Sequence, residues 1–506
     1  MSAELLPQWT EKVDKRGLDP LGMQNSGVVL YQSLLPGISN VTLRMRYYGY
    51  YCWVSETYAR HGATNDFESW RNWIRRAEAL YALVAARAEE GGVGGVDWAN
   101  RRLQAGGRSI DFAAAASTDA SEERYLRQSL GVFGGAYYTQ MAEMGLFTQN
   151  RHGIQVATRD LGRRAAALFA EAIGSDLAKL LRKKIVDAQV SVRELDRLGP
   201  IAPSEIEGDS DERAFYETLL FATEPTPIPS GPSRGASLYL ILETARAIEE
   251  RPRPDDVRWH LFDPPQIALT QRLEDQRRHW ELYHCQDLMQ VASAGLLAWA
   301  IGILQEVDAG RTVGEIRAEV VERLTARDDQ DLTSAWITLR NGVTPEEFGF
   351  QDAWDTLTSR RGSVEDKAVL AIRLMAALDQ RVLTRPDLTE TLLRDLPIRG
   401  GAHSLRTELE WLRKGEALPV IERIGDYIVE RVVRRHSWVA MQKLRRQRDY
   451  TFLFETRDGR LVYLSGYQPV PTTPRLAPAI QFLEDIHLVD EDGLTRGGLQ
   501  VLEAAL

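Results

Sequence analysis

The sequence predicts a mainly α, multi-domain helical protein with small winged-helix-like β-hairpins. Apolar and charged residues recur at three- and four-residue spacing along most of the chain, which is the period of an amphipathic helix. Strand-like segments are short and cluster at 145–158, 451–464 and 487–495, each around a hairpin-type turn. At 506 residues the chain also exceeds the size of one compact core, so several domains are expected.

The helical spacing is clearest in eight segments: 68–90, 159–196, 236–250, 266–308, 312–326, 365–379, 404–415 and 419–448. The strongest boundary is "TEPTPIPSGPSRG", whose prolines and glycines predict a linker. We therefore expect six consecutive parts. They are an N-terminal helical domain (1–120), a winged-helix-like unit with following helices (121–222), the Pro-rich linker (223–235), a central helical domain (236–418), a basic helix with a β-hairpin (419–470) and a C-terminal winged-helix-like unit (471–506).

Composition indicates an ordinary globular protein, with 44% hydrophobic and 26% charged residues. The formal net charge of -10 excludes a globally basic coat protein but permits a local basic face. Only two cysteines occur, Cys52 and Cys285, which excludes a disulfide framework and is typical of a reducing cytoplasm. The N-terminal residues lack the apolar region of a signal peptide. The longest apolar run, 291–304, is too short to span a bilayer and predicts a buried core helix.

Motifs of common catalytic sites are missing from the sequence. The glycine-rich "GGVGGVDW" at 91–98 lacks the lysine and hydroxyl of a P-loop, and no GxSxG or HExxH occurs. His279 and His284 are five residues apart, which places them on different helical faces and disfavours a metal site. We expect no cofactor, no metal and no catalytic residue.

One local pattern occurs twice. From Tyr137 onward and again near the C-terminus, a helix, a short hairpin and a second helix follow one another, as in a winged helix. Thr158 and Gly162 follow the first hairpin, and Thr495 and Gly497 follow the second.

Charge separates the two copies. Residues 151–184 carry eight basic and three acidic residues, so Arg151, Arg163 and Arg164 are candidate DNA contacts. The second hairpin contains "EDIHLVDEDG", which would repel phosphates and indicates protein docking.

The densest basic cluster is the helix around 427–448, which has a single acid. Its basic residues are expected on the solvent face near Trp438, where they would bind phosphates while the aromatic ring stacks on a base or sugar. These residues are Arg431, Arg434, Arg435, Lys443, Arg445, Arg446 and Arg448. The alternative is a helix that pairs with acidic surfaces of this protein or of another subunit.

The hairpin at 451–464 supports a weaker hypothesis. Glu455 and Asp458 could be metal ligands at the edge of a nuclease sheet, but the lysine that a restriction-type nuclease core requires does not follow them.

The stretch "PGISNVTLRMRYYGYYCW" at 36–53 predicts one helix, capped by Ser39 or Asn40. Helical spacing predicts two core stripes, one with Leu43 and Tyr47 and one with Val41 and Met45. Arg44 and Arg46 are candidate nucleic-acid contacts. They would lie on opposite faces of the helix. We therefore expect one side chain to reach solvent or a phosphate, and the other to be bound inside the protein by a buried acid and tyrosine hydroxyls.

The N-terminal run 17–54 resembles the opening of uncharacterised bacterial proteins encoded in anti-phage defence islands. The matching pattern is LPG-x-S-x-x-T-x-R-x-RYY, from Leu35 to Tyr48, preceded by Leu21-Gly22. This resemblance implies a cytoplasmic component of a multi-gene defence system, of the Menshen type for example, that works beside an ATPase or nuclease subunit. It implies no catalytic residue.

Three hypotheses about function follow. The first is a non-enzymatic subunit that binds or senses DNA or RNA in a defence complex. The second is a scaffold of the same complex whose basic faces meet acidic partner proteins. The third is a divergent nuclease that uses Glu455. None of the three involves a membrane.

Overall fold

The computed structural model describes residues 19–60, 65–119, 123–223, 231–263, 269–398 and 403–506. The fold is mainly α with small antiparallel hairpins, and this prediction is confirmed. The chain forms two compact units. The first unit comprises Met1–Leu30 and Leu282–Thr472, and the second comprises Tyr31–Glu281 and Thr473–Leu506. The predicted division into six parts stays a prediction, and residues 224–230 of the predicted linker lie outside the described residues.

The helices are numbered in chain order. Up to the long central helix they are α1 Gln24–Leu34, α2 Tyr47–Arg60, α3 Phe67–Arg87, α4 Val96–Gln104, α5 Tyr138–Glu143, α6 Leu161–Ile173, α7 Ser175–Asp187, α8 Val192–Arg197, α9 Asp211–Phe221, α10 Gly231–Ile248 and α11 Pro254–Phe262. The others are α12 Gln271–Gln305, α13 Val313–Thr325, α14 Gln330–Thr333, α15 Trp336–Asn341, α16 Phe350–Thr358, α17 Val364–Thr384, α18 Pro386–Asp395, α19 Leu405–Arg413, α20 Val420–Tyr427, α21 Arg434–Gln447, α22 Leu476–Asp485 and α23 Arg496–Glu503.

The strands of the described residues form four two-stranded antiparallel pairs. β2 Phe147–Gln149 pairs with β3 Gln155–Ala157, β5 Phe454–Arg457 with β6 Arg460–Tyr463, and β7 Val489–Asp490 with β8 Gly493–Leu494. These are the three predicted hairpins. The fourth pair, β1 Ser109–Asp111 with β4 Gln189–Ser191, joins segments about 80 residues apart and was not predicted.

Two predicted helices differ from the structure. The segment 159–196 is interrupted, because Gly174 has a φ of 79° between α6 and α7 and because β4 follows α7. In the segment 36–53 the helix begins only at Tyr47. A turn precedes it, in which the Ser39 amide donates to the Thr42 hydroxyl at 2.8 Å and that hydroxyl donates to the Ser39 carbonyl at 2.9 Å. These local side-chain bonds replace a helical turn.

Each unit has its own core. In the second unit the aromatic side chains of α2 are buried, and Tyr50 stacks on Tyr81 of α3 with ring centroids 4.2 Å apart. Val41 and Leu43 are the exceptions to the predicted core stripes, since they are 55% and 41% exposed in the turn before α2.

In the first unit the core helix is the segment of α12 from Leu282 onward, and the predicted burial of 291–304 is confirmed. By length and apolar composition, α12 is the single candidate for a membrane span within the described part of the chain. In its most apolar window 89% of the residues are buried inside the protein, as in the core helix of a globular unit.

Candidate nucleic-acid interface

The basic helix predicted at 419–448 is continuous in the structure. α20 leads through a π-helical turn, Ile428–Val433, directly into α21. The apolar residues Ile428, Val432 and Val439 are buried, which fixes the orientation of this helix on the first unit.

The N-terminal part of this helix is held by a buried carboxylate. Glu408 of α19 accepts hydrogen bonds from Arg431 at 2.5 and 3.0 Å and from the Tyr427 hydroxyl at 2.9 Å. The ring nitrogen Nδ1 of His403 lies 3.1 Å from the same carboxylate. Burial acts to raise the pKa of Glu408, but the contacts with His403 and Arg431 outweigh it and hold that pKa at about 2. Arg431 therefore neutralises a charge inside the protein and does not face solvent as predicted.

A second anchor joins α21 to the N-terminal segment 19–23 of the same unit. Arg435 Nε donates to the Leu21 carbonyl at 2.8 Å, and Lys443 Nζ donates to the Asp19 carbonyl at 2.9 Å. Gly22 lies against Arg435 with a φ of 69°, and a Cβ there would be 2.9 Å from Arg435 Nη2. Thus Arg435 and Lys443 are also half-buried rather than fully exposed on the predicted basic face.

His436 bridges α21 to two neighbouring segments. Its Nε2 accepts from the Leu453 amide at 3.0 Å, so Nδ1 carries the proton and donates to the Pro20 carbonyl at 3.2 Å. Burial lowers the pKa of His436 to about 4. The imidazole is therefore neutral at physiological pH and serves as a structural link.

The remaining basic residues of α21 form one exposed surface. We define the α21 stripe as Arg434, Trp438, Met441, Arg445 and Arg448, which are all exposed. The first four are spaced four, three and four residues apart, which places them along one face of the helix, and Arg448 follows directly after its last residue. Arg446, also exposed, lies beside this stripe.

No carboxylate of the described residues lies within 4 Å of the guanidinium groups of Arg434, Arg445, Arg446 or Arg448. These four cations are thus available to an external anion. Trp438 is 48% exposed, and the Arg435 guanidinium lies 4.4 Å from its ring centroid on the neighbouring turn. The stripe combines unpaired guanidinium groups with an aromatic ring that its arginine neighbour holds in place.

The three arginines that were predicted as DNA contacts near the first hairpin do not form a shared surface of unpaired cations like the α21 stripe. Arg151 is exposed at the turn between β2 and β3, where its Nε lies 3.0 Å from a His152 ring nitrogen. Arg163 of α6 pairs with Glu56 at 3.2 Å, and Arg164 lies 5.3 Å from the ring centroid of Phe215.

The helix α5 before this hairpin has the sequence YTQMAE, without a basic residue, and its Gln140 is buried. A recognition helix that reads the major groove uses exposed Arg, Lys, Asn or Gln side chains, which α5 does not supply. The DNA role predicted for residues 121–222 stays a prediction without support from the geometry of α5.

Both hairpins share one hydrogen-bond pattern. In the first, the Thr158 amide donates to the Leu146 carbonyl at 2.9 Å and its hydroxyl donates to the Gly145 carbonyl at 2.7 Å. The hydroxyl also accepts from the Gly162 amide at 2.9 Å.

In the second hairpin, the Thr495 amide donates to the Leu488 carbonyl at 3.1 Å, and its hydroxyl donates to the His487 carbonyl at 2.8 Å. The hydroxyl accepts from the Gly498 amide at 3.0 Å, so Gly498 rather than the predicted Gly497 corresponds to the glycine of the first copy.

Arg44 and Arg46 are both buried inside the second unit, in contrast to the expectation that one would reach solvent. Arg46 Nε and Nη2 donate to Glu212 at 3.2 and 3.1 Å, and the Tyr216 hydroxyl donates to the same carboxylate at 2.8 Å. Arg44 Nε donates to Asp485 at 3.1 Å. Burial raises the pKa of Asp485 to about 6, although Arg44 acts to lower it.

The residues of the nuclease hypothesis do not converge on a site. Glu455 accepts from the Tyr450 hydroxyl and from Arg457 at 3.1 Å on an exposed hairpin. No group of three or more His, Cys, Asp or Glu side chains suited to a metal ion occurs among the residues that the structure describes.

Comparison of the chain with protein-family models, with curated proteins and with solved structures gives no match.

Proposed function

We propose that this protein binds the backbone of a nucleic acid through the α21 stripe, as a binding or sensing subunit without catalytic activity of its own. The observation that carries the proposal is the presence of unpaired arginines along one face of α21, around a half-exposed tryptophan. Arginine binds phosphate oxygens by charge-assisted hydrogen bonds, and an aromatic ring stacks on an unpaired base.

The charge of the whole chain does not oppose this binding. Although the net charge is -10, charges more than about 10 Å from the stripe are largely screened at about 0.1 M salt. The helix from Arg434 to Gln447 carries no acidic residue. A phosphate backbone would therefore meet a locally positive surface.

The test measures fluorescence anisotropy of labelled single-stranded and duplex oligonucleotides, as DNA and as RNA, from about 50 to about 200 mM salt. Four phosphate contacts predict a slope of log Kobs against log salt of about -3 for a single strand. The variant Arg434→Gln/Arg445→Gln/Arg448→Gln loses three of the four contacts, so its slope should become shallower by about 2 units, to about -1. At the lower salt concentration it should bind at least about tenfold more weakly than the wild type.

A matched control removes three exposed arginines of the same unit, Arg361, Arg394 and Arg457, and so has the same net charge. Its affinity and salt slope should equal those of the wild type. Equal weakening by the two triple variants would contradict the α21 stripe, and no binding by the wild-type protein at about 50 mM salt would contradict the proposal itself.

A second candidate function is a scaffold whose α21 stripe binds an acidic protein. The exposed Trp438 and Met441, at 48% and 41%, favour it because Trp, Met and Arg are enriched at protein interfaces. Co-purification with the products of neighbouring genes tests this function. A partner that is lost from the stripe variant but kept by the control variant, without any oligonucleotide binding, would replace the first proposal by the second.

The proposed setting is an anti-phage defence complex with a separate ATPase or nuclease subunit. The sequence signature from Leu35 to Tyr48 is what supports it. Plating of phage on cells that carry the gene with its neighbours tests the setting. Protection should disappear with the stripe variant and persist with the control variant, whereas no protection by the wild-type genes would contradict it.

A further inference from the structure

A cavity of about 480 Å³ lies within the second unit, apart from all residues of the proposed nucleic-acid interface. Three arginines, Arg44, Arg251 and Arg253, line it together with the glycine-rich loop at Gly91 and Gly92. None of the lining residues, which all belong to described segments, is acidic. The ionisable groups of the lining are therefore all guanidinium groups, and carboxylates just outside the lining pair with each of them.

Each of the three guanidinium groups donates to at least one carboxylate and keeps one nitrogen without an acceptor. Arg44 donates from Nε to Asp485 at 3.1 Å and from Nη1 to Glu90 at 3.0 Å. Arg251 donates from Nε and Nη2 to Glu484 at 3.0 and 2.7 Å, and Arg253 donates from Nε and Nη2 to Asp256, both at 3.0 Å. Nη2 of Arg44 and Nη1 of the other two have no acceptor within the described ranges of the chain. The carboxylates hold the arginines in position, which reduces the entropy that a ligand must remove.

The glycine-rich loop adds backbone donors. The amides of Gly91 and Gly92 have no acceptor among the described residues, and successive free amides form an anion-binding concavity. Gly92 has a φ of 75°, and a Cβ there would lie 3.0 Å from Arg44 Cδ. Glycine thus permits the close approach of this loop to Arg44.

Apart from the polar side chain of Gln481, the rest of the lining is apolar. Pro252, Pro254, Pro478 and Ile480 contribute to it. The volume lies within the range of about 300–1,000 Å³ that is usual for small-molecule sites, so an inorganic phosphate would leave most of the cavity empty. The ligand should combine a phosphate group with an apolar ring.

We propose that this cavity binds a small phosphorylated molecule of the mononucleotide class. Its phosphate receives hydrogen bonds from Arg44, Arg251 and Arg253 and from the loop amides, while its base lies against the proline-rich wall. The geometry of the cavity carries this inference, which does not depend on the α21 stripe.

Isothermal titration calorimetry of the full chain with AMP, GMP, CMP and UMP tests the proposal, with adenosine and inorganic phosphate as partial ligands. At least one mononucleotide should bind, at least about tenfold more tightly than either partial ligand. The double variant Arg251→Gln/Arg253→Gln should weaken that binding at least about tenfold. If the double variant does not fold, Arg253→Gln alone serves, because the Arg253 side chain is 79% exposed.

Arg60→Gln is the matched control, since Arg60 is also 79% exposed and also faces an acid, Glu56, on its own helix. It should bind like the wild type, and so should the triple variant of the α21 stripe. Four results would each overturn the proposal: no mononucleotide binding at about 1 mM, adenosine binding equal to that of AMP, unchanged binding by the cavity variants, or loss of binding in the stripe variant.

Discussion

The guanidinium carbon of Arg435 lies 4.4 Å from the ring centroid of Trp438, and its Nε donates to the Leu21 carbonyl. One arginine thus holds the exposed tryptophan of α21 while it binds the N-terminal segment. Gly22 makes this arrangement possible, because a side chain there would meet Arg435 Nη2.

We predict that Gly22→Ala displaces Arg435 and weakens oligonucleotide binding severalfold. It should also lower the free energy of unfolding by about 2–3 kcal/mol, from left-handed backbone strain together with the clash. Gly106→Ala is the control, because Gly106 has a similar φ of 76° but open space around its Cβ position. It should lower that free energy by about 1 kcal/mol and leave binding unchanged. Urea unfolding and anisotropy give the two readouts, and equal effects of the two substitutions would contradict the role of Gly22.

We predict that mild acid destabilises the first unit through His436. The folded pKa of about 4 lies below the ordinary value of 6.5, so the unfolded chain binds a proton at a higher pH than the folded protein does. Stability should therefore fall by about 3 kcal/mol from this group as the pH drops from about 6.5 to about 4. Urea unfolding across this range should show a smaller change for His436→Gln than for the wild type, and parallel curves would refute the assignment.

Removal of the buried Glu408 carboxylate should destabilise the same unit strongly. In Glu408→Gln, the half-buried Arg431 loses its counter-charge inside the protein, which should lower the free energy of unfolding by about 3–5 kcal/mol. The control is Glu410→Gln, whose side chain is 37% exposed and pairs with Arg406, and its effect should stay below about 1 kcal/mol. Comparable urea midpoints for the two variants would show that the buried network is dispensable.

Alanine substitutions at two adjacent glycines of α23 should change stability in opposite directions. A Cβ at Gly498 would lie 2.1 Å from the Leu488 carbonyl oxygen, so Gly498→Ala should open the hairpin and lower stability by about 2 kcal/mol or more. The nearest atom to a Cβ at Gly497 is 3.7 Å away, so Gly497→Ala should raise helix stability by up to about 1 kcal/mol. Hydrogen exchange of the α23 amides measures both effects, and slower exchange in Gly498→Ala would be contrary to the shared hairpin pattern.

Local patterns were enough to predict most of the long helices and three of the four strand pairs that the structure describes. Helical periodicity identified α3, α12 and α17, and glycine turns identified the hairpins. The pair of β1 with β4 was missed because three-residue strands so far apart in sequence leave no local pattern.

The candidate site was predictable only in part, for a physical reason. Charge density along the chain identified the basic helix. However, the carboxylates and carbonyls that accept hydrogen bonds from some of its basic side chains belong to other segments of the chain. Arg431 meets Glu408, and Lys443 meets Asp19 from 424 residues away. The sequence alone therefore could not separate these anchored residues from Arg434 and Arg445, which stay unpaired among the described residues.

The common hydrogen-bond pattern at Thr158 and Thr495 has a consequence for the surface charge of the two hairpins. The bonds that close each hairpin involve backbone groups, one threonine hydroxyl and one glycine, and none of the charged side chains. An exchange of charge at either turn should therefore leave these closing bonds intact. The surface charge of a hairpin of this kind can vary independently of its backbone conformation.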